Sequence, residues 1–188
     1  MELSQTENRL EKLAAAIRGC RKCGLSRQRI LAVPGEGNPG ACLMFIGEAP
    51  GAREDQTGRP FIGPAGRFLE QLFAECNIRR GDVFITSCVK CRPPGNRNPT
   101  SGELTTCITS WLLPQIKLID PEIIVLCGRV AALGLLGGPV KISEAHGTLV
   151  LRNGRKYFIS YHPAAGMRFP RIAATMRSDF KILLRLIG

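Results

Sequence analysis

Two kinds of chemistry are written into this chain by residue type and spacing. Cys20 and Cys23 form a C-x2-C pair, Cys88 and Cys91 form another, and Cys107 stands further on. In a reducing compartment, clustered cysteines hold metal more often than they form disulfides. Two C-x2-C pairs would suit zinc, but the gap between these pairs is far longer than a zinc ribbon's. Cys88 also falls inside an apolar run, which marks it as core, like Cys42, Cys76 and Cys127. The second kind is acid–base and hydrogen-bonding chemistry: Glu48 in "GEAPG", Glu54 and Asp55 soon after it, and His162, one of two histidines, in "YHPAAG". A carboxylate and an imidazole brought to one cleft can stabilise the charges that separate as a substrate bond breaks.

Positioning these groups falls to 188 residues with 44% hydrophobic content, enough for one well-buried core and short for two. A single domain over 1–188 is expected. Lysine plus arginine exceed aspartate plus glutamate by 26 − 15 = 11, an excess that suits a polyanionic partner such as nucleic acid. No apolar run reaches the roughly 18 residues of a membrane span, and the polar start "MELSQTENRLEKL" lacks the pattern of an export signal. The expectation is a soluble, cytoplasmic monomer with no membrane partner.

Leu3, Leu10, Leu13, Ala14 and Ile17 recur at helical spacing, which predicts an amphipathic helix over 3–18 leading into Cys20. "ACLMFIG", "DVFITSCV" and "PEIIVLCG" are short apolar runs, as expected of strands covered on both faces. "PAGRFLEQLFAEC" opens on Pro64, favourable at a first helical position. "TSGELTTCITSWLLPQIKLI" opens with a Thr100–Glu103 capping-box spacing and contains Pro114, which should kink or divide it. "RVAALGLLG" and "ATMRSDFKILLRLIG" predict further helices, and "TLVLRNGRKYFISY" a hairpin turning at Asn153-Gly154. This alternation predicts an α/β fold: a three-layer α/β/α sandwich around a mainly parallel sheet.

In such a sheet the residues past the carboxyl ends of the strands gather on one rim, where ligands bind. "GEAPG", "SCVKCRPPGNRNP" and "YHPAAGMRFP" all fall there. The connection from residue 46 to 66 is long for a strand-to-helix link with no structure of its own. Its fixed turns and its apolar Phe61 and Ile62 argue for a cleft wall rather than a floppy linker.

Taken together, "GEAPGAREDQTGRPFIGPAG", "ITSCVKCRPPGNR" and "SYHPAAGMR" resemble, in order and over nearly the whole chain, the family 4 uracil-DNA glycosylases of the iron-sulfur type. The resemblance implies a base-excision repair enzyme that hydrolyses the N-glycosidic bond of uracil, and of other deaminated bases as further candidates, leaving an abasic site in DNA. It places His162 on uracil O2, Phe61 as the ring that stacks on the flipped base, and Glu48 near the sugar to support water attack. Gly47, Ala49, Pro50, Gly51, Asp55, Ser87 and Asn96 fall in the substrate-binding blocks. Met167 takes the place of a wedging leucine, with Arg168 as a DNA contact beside it and Arg92, Arg97 and Arg171 as further phosphate partners. Cys20, Cys23, Cys91 and Cys107 match the family's ligands to a [4Fe-4S] cluster, implied here as a structural staple for the N-terminal helix and the 92–106 loop.

Two positions depart from the related patterns. Ala49 stands where the better-known family 1 enzymes carry a water-positioning aspartate, so the water-activating group is open between Glu48, backbone groups and the field of Glu54 and Asp55. Ser87 stands where family 4 usually has an asparagine that reads the uracil edge, and a single hydroxyl replaces a paired donor and acceptor. Two other classes stay open on the residues alone: a non-catalytic iron-sulfur DNA-binding relative, and a metal-dependent nuclease or phosphotransferase using Glu48, Glu54 and Asp55.

Overall fold

The computed structural model describes residues 2–187; Met1 and Gly188, and the side chains of Glu2 and Leu3, lie outside the described residues. Six strands, β1 (Glu36–Gly37), β2 (Leu43–Gly47), β3 (Phe84–Ser87), β4 (Ile123–Cys127), β5 (Leu149–Arg152) and β6 (Arg155–Ser160), form one sheet in the order β1-β3-β2-β4-β6-β5. The four central strands are parallel, and β1 and β5 pair antiparallel at the two edges. Every residue of β2, β3 and β4 is buried, as their continuous apolar runs require.

Alternate strand residues feed two separate cores. Met44, Ile46, Ile124 and Leu126 pack with α1 (Glu2–Arg18), α4 (Ser101–Cys107), α5 (Leu113–Ile119) and α6 (Arg129–Leu136). Phe45, Val125 and Phe158 face the opposite way, onto α3 (Pro64–Glu75) and α9 (Pro170–Arg185). The expected three-layer sandwich is the observed one, with Phe45 and Phe73 meeting edge to face at 4.8 Å.

Several sequence expectations are refined. Thr100 caps α4, its hydroxyl accepting from the Glu103 N–H while Glu103 accepts from the Thr100 N–H. The expected disruption at Pro114 takes the form of a π turn over Ile108–Leu112, which widens the helix just before the proline. A wider turn relieves the clash between the proline ring and the preceding carbonyls, so α4 and α5 run on nearly continuously. Asn153 and Gly154 both take positive φ (49° and 73°), the geometry of a tight two-residue hairpin.

Three expectations fail. The 46–66 connection is not without structure, since α2 (Ala52–Thr57) forms inside it. Cys42 is exposed and Cys76 only partly buried, so neither is a buried core residue; Cys42 stands at the amino end of β2, where its carbonyl accepts from Ile123 N–H. Cys88 is fully buried but lies one residue beyond β3 rather than within it.

Candidate active site

Past the carboxyl ends of β2, β3 and β6 the chain encloses a cleft of about 720 Å³. Its walls come from Val33, from 48–54, from Pro60, Phe61 and 63–65, from Ser87, from Pro93 and 96–98, and from His162, Ala164, Met167 and Arg168. The long connection, the proline-rich segment after β3 and the segment after β6 thus converge on one edge of the sheet.

Phe61 and His162 form the deep end. Phe61 is 7% exposed, and its ring centroid lies 5.9 Å from that of His162 at an interplanar angle of 31°. Gly47 does not line the cleft; it lies under the Phe61 ring, where any Cβ would come within 2.6 Å of Cζ. Phe61 also holds φ of 49°, a left-handed conformation costly for a bulky residue and maintained only where its surroundings impose it. Gly66 clears the other side, since a Cβ there would strike the Phe61 carbonyl at 1.9 Å.

His162 caps α8 (Pro163–Arg168), with Nδ1 accepting from Ala164 N–H at 3.2 Å. Burial pushes the imidazole down to about 4, against a weaker opposing pull from Glu54. The ring is therefore neutral at physiological pH, and with Nδ1 acting as acceptor its proton sits on Nε2. A neutral donor of fixed tautomer is what a developing anion on a departing base requires.

Glu48 lines the cleft just past β2, and burial pushes its carboxyl above the usual value against the pull of Arg129. With the Asn98 amide oriented to satisfy both ends, Nδ2 donates to Glu48 Oε1 (3.3 Å) and its oxygen accepts from Arg129 Nη2 (3.2 Å). The sequence reading missed Asn98 and Arg129. Both come from polar surface positions, an exposed turn and the start of α6, and only the fold brings them together.

Ala49, Pro50, Gly51, Ser87 and Asn96 border the cleft as expected. Asp55 does not: its carboxylate accepts from Ile30 N–H at 3.0 Å, and the side chain is 2% exposed on the far side of α2. The reason is helical spacing, which turns Asp55 away from the wall that Glu54 faces. Glu54 is in turn committed to the loop, accepting from the N–H groups of Gly51 (3.1 Å), Ile62 (2.9 Å) and Gly63 (2.7 Å). Neither carboxylate is free to join Glu48 in binding a magnesium ion.

Met167 (49% exposed) and Arg168 stand at the mouth. Two of the expected phosphate partners have partners within the chain: Arg97 is paired with Glu103 (2.8 Å) and Arg92 Nε donates to Asn96 Oδ1 (2.7 Å).

Cys20, Cys23, Cys91 and Cys107 border one narrow gap between the N-terminal segment, the end of β3 and α4. Among the described residues no group of three or more His, Cys, Asp or Glu side chains has metal-binding geometry as it stands. The donors around the gap nevertheless fit a four-thiolate cluster. Trp111 Nε1 (3.2 Å) and Lys22 N–H (3.5 Å) point at Cys20 Sγ, Arg29 Nη1 at Cys91 Sγ (3.0 Å), and Lys90 N–H at Cys107 Sγ (3.3 Å). N–H donors aimed at sulfur are what ligating thiolates need around them. Burial pushes the Cys107 thiol up to about 11 and that of Cys91 upward as well, so metal binding must displace their protons. Cys88 does not border this gap, against the rival zinc set. The Lys90 ammonium lies buried nearby, donating to Thr86 Oγ1 (2.6 Å), Ser87 O (2.9 Å) and Gln115 Oε1 (2.7 Å).

A family model described as the uracil DNA glycosylase superfamily matches residues 34–184. A type-4 uracil-DNA glycosylase of Sulfurisphaera tokodaii is 41% identical over 189 residues, covering 94% of this chain and 84% of that one. Another, of Archaeoglobus fulgidus, is 40% identical over 187 residues, covering 95% and 94%. A type-5 uracil-DNA glycosylase of Pyrobaculum aerophilum is 34% identical over 149 residues, covering 70% and 65%. A matched model over most of the chain, relatives aligned along nearly all of it, and a cleft built by the motif-bearing segments lead to one assignment: the chain belongs to the uracil-DNA glycosylase superfamily.

Proposed function

We propose that this chain is a monofunctional uracil-DNA glycosylase of the type-4 kind, which flips uracil out of DNA and hydrolyses its bond to the sugar. The observation that carries this is the pairing of a neutral, Nε2-protonated His162 with the Phe61 ring at the deep end of the cleft. The flipped base stacks on Phe61. As the C1′–N1 bond breaks, its electron pair passes to the base, and His162 Nε2–H donates to the base oxygen on which that charge accumulates. Positive character left on the sugar is met by the Glu48 carboxylate, which also accepts a proton from the water that adds to C1′. Asn98 holds that carboxylate in place, and Arg129 favours its ionised form.

Cys20, Cys23, Cys91 and Cys107 would hold a [4Fe-4S] cluster. Hydrolysis needs no electron transfer, so the cluster's contribution is cross-linking: it joins the segment after α1 to the end of β3 and to α4. Met167 and Arg168 contact DNA at the mouth, within a chain whose net charge of +11 favours a polyanion. The buried Lys90 ammonium, tied to Thr86 Oγ1, Ser87 O and Gln115 Oε1 and not among the cleft-lining residues, is not placed to attack the sugar, which favours base release without strand cleavage.

Incubation with a uracil-containing oligonucleotide tests the reading. Free uracil and an alkali-labile abasic strand, formed equally in the presence of chelator, are expected. DNA binding with no released base would establish the non-catalytic alternative, and chelator-sensitive strand cutting the nuclease.

A further inference from the structure

The strained Phe61 platform is held from two sides by groups of opposite charge. Glu54 takes the N–H groups of Ile62 and Gly63 that follow the ring. From the other side Arg80, on the short turn before β3, donates Nη2 to Pro60 O (2.5 Å) and Nη1 to Phe61 O (3.4 Å). Two carboxylates aim that guanidinium: Glu36 on β1 accepts from Nε at 2.9 Å, and Glu70 on α3 accepts from Nη1. Arg59 in turn grips Glu36 at 2.8 Å and 2.9 Å. The Arg80 side chain is 21% exposed and has no atom among the cleft-lining groups. A planar fork that meets two consecutive carbonyls and two carboxylates fixes orientation in a way a lysine's single ammonium cannot.

We propose that Arg80 is the positioning residue of the base-stacking platform: by holding the Pro60 and Phe61 carbonyls it keeps the Phe61 ring at the angle to His162 that uracil requires. This rests on the cleft being the uracil pocket. Without Arg80 the left-handed Phe61 backbone relaxes, the ring leaves its seat over Gly47, and stacking is lost while the DNA-binding surface stays intact. Misplacement of a positioning group by about 1 Å costs on the order of 10²-fold in rate.

The test compares wild type with Arg80→Met and Arg80→Lys, well below their melting temperatures. Single-turnover excision, inhibition by free uracil, and affinity for an abasic-site duplex are measured on each. In Arg80→Met, excision is expected to fall on the order of 10²-fold and the uracil inhibition constant to rise at least tenfold, with abasic-duplex affinity unchanged; Arg80→Lys falls between. A lower melting temperature with excision and uracil inhibition unchanged makes Arg80 a structural rivet and overturns the proposal. Equal loss of affinity for substrate and abasic duplexes makes it a phosphate contact and overturns it too. If Arg80→Met does not fold, Glu70→Gln, which loosens the guanidinium and leaves it in place, decides by the same readouts. Absence of excision by the wild type itself would instead refute the glycosylase reading.

Discussion

The Phe61 and His162 rings lie 5.9 Å apart, and each residue rests against a glycine at a strand end. Gly47 closes β2 beneath Phe61, while Gly128 follows β4 beneath His162, where a Cβ would come within 2.8 Å of the histidine Cβ. Gly128 also holds φ of 95°, which side chains rarely adopt. The two residues can therefore sit this close to the strand ends only because bare backbone lies at the floor of the cleft.

Gly47→Ala should test that floor directly. The new methyl must displace the Phe61 ring, because 2.6 Å is closer than carbon atoms approach. Overpacking at a buried site costs roughly 1–3 kcal/mol, so the chain should still fold. Excision should nevertheless drop on the order of 10²-fold, as a displaced stacking partner implies. A variant that melts lower but excises uracil within twofold of wild type would show that the ring's seat is unimportant.

Ser87 is the proposed reader of the base edge in the cleft. Its side chain is 5% exposed and borders the cleft, and its carbonyl is fixed by the Lys90 ammonium. One hydroxyl can satisfy only part of the paired donor and acceptor edge of uracil. The wild type should therefore discriminate weakly among uracil, hypoxanthine and xanthine, and Ser87→Asn should favour uracil by about 1–2 kcal/mol, on the scale of one buried hydrogen bond. Identical rates on all three duplexes before and after the substitution would refute this role.

The central sheet, its flanking helices and the cleft-bordering blocks were legible because β2, β3 and β4 are short buried runs and each motif follows a strand end, whereas the two-residue polar β1 carries no such signal. What stayed hidden depends on long-range placement. α2 has no apolar period, as its residues are mostly polar and its start is fixed by Glu54 reaching back to Gly51 N–H. Asp55 looked like a cleft carboxylate because it neighbours Glu54, yet adjacent helical residues point about 100° apart. Asn98 and Arg129 lie 31 positions apart in ordinary surface sequence, and only the return of β4 beside β2 brings them to Glu48. Arg80 was equally silent, one of 26 basic residues with no motif around it.

The pH profile should separate Glu48 and His162, the two groups proposed as catalytic. His162 protonates only near 4 in the folded chain but near 6.5 when unfolded. Its folded pKa being the lower, the unfolded chain binds more protons in that interval, so stability falls as pH drops from 6.5 toward 4 and is level above it. The acid limb of kcat/KM should then belong to Glu48, whose carboxyl burial holds above 4.5. Arg129→Gln removes the opposing pull and should move that limb to higher pH, while His162→Gln should flatten the stability slope. A limb that stays in place in Arg129→Gln would remove Glu48 from this role.

The cysteine assignment predicts different fates for neighbouring thiols. Cys91→Ala and Cys107→Ala should lose bound iron and the broad visible absorbance of an iron-sulfur cluster, and melt well below the wild type. Cys88→Ala should keep both iron and colour, losing only the about 1 kcal/mol expected of a small void in the core. A colourless protein carrying zinc, with Cys88 needed for its retention, would establish the rival set.

Met167 presents the last expectation, at the mouth of the cleft. It and Phe169 are both about half exposed (49% and 51%), so neither is buried by packing on the other. An exposed apolar residue beside Arg168, at the mouth of the cleft proposed to accept a flipped base, is suited to fill the stack that the base leaves. That role matters only where a partner strand holds the base in. Met167→Ala should therefore slow excision from duplex DNA by on the order of tenfold, consistent with the few kcal/mol that unstacking a step costs, and leave single-stranded substrate nearly unaffected. Measured side by side on the two substrates, an equal loss on both would make Met167 a wall of the pocket instead of a wedge.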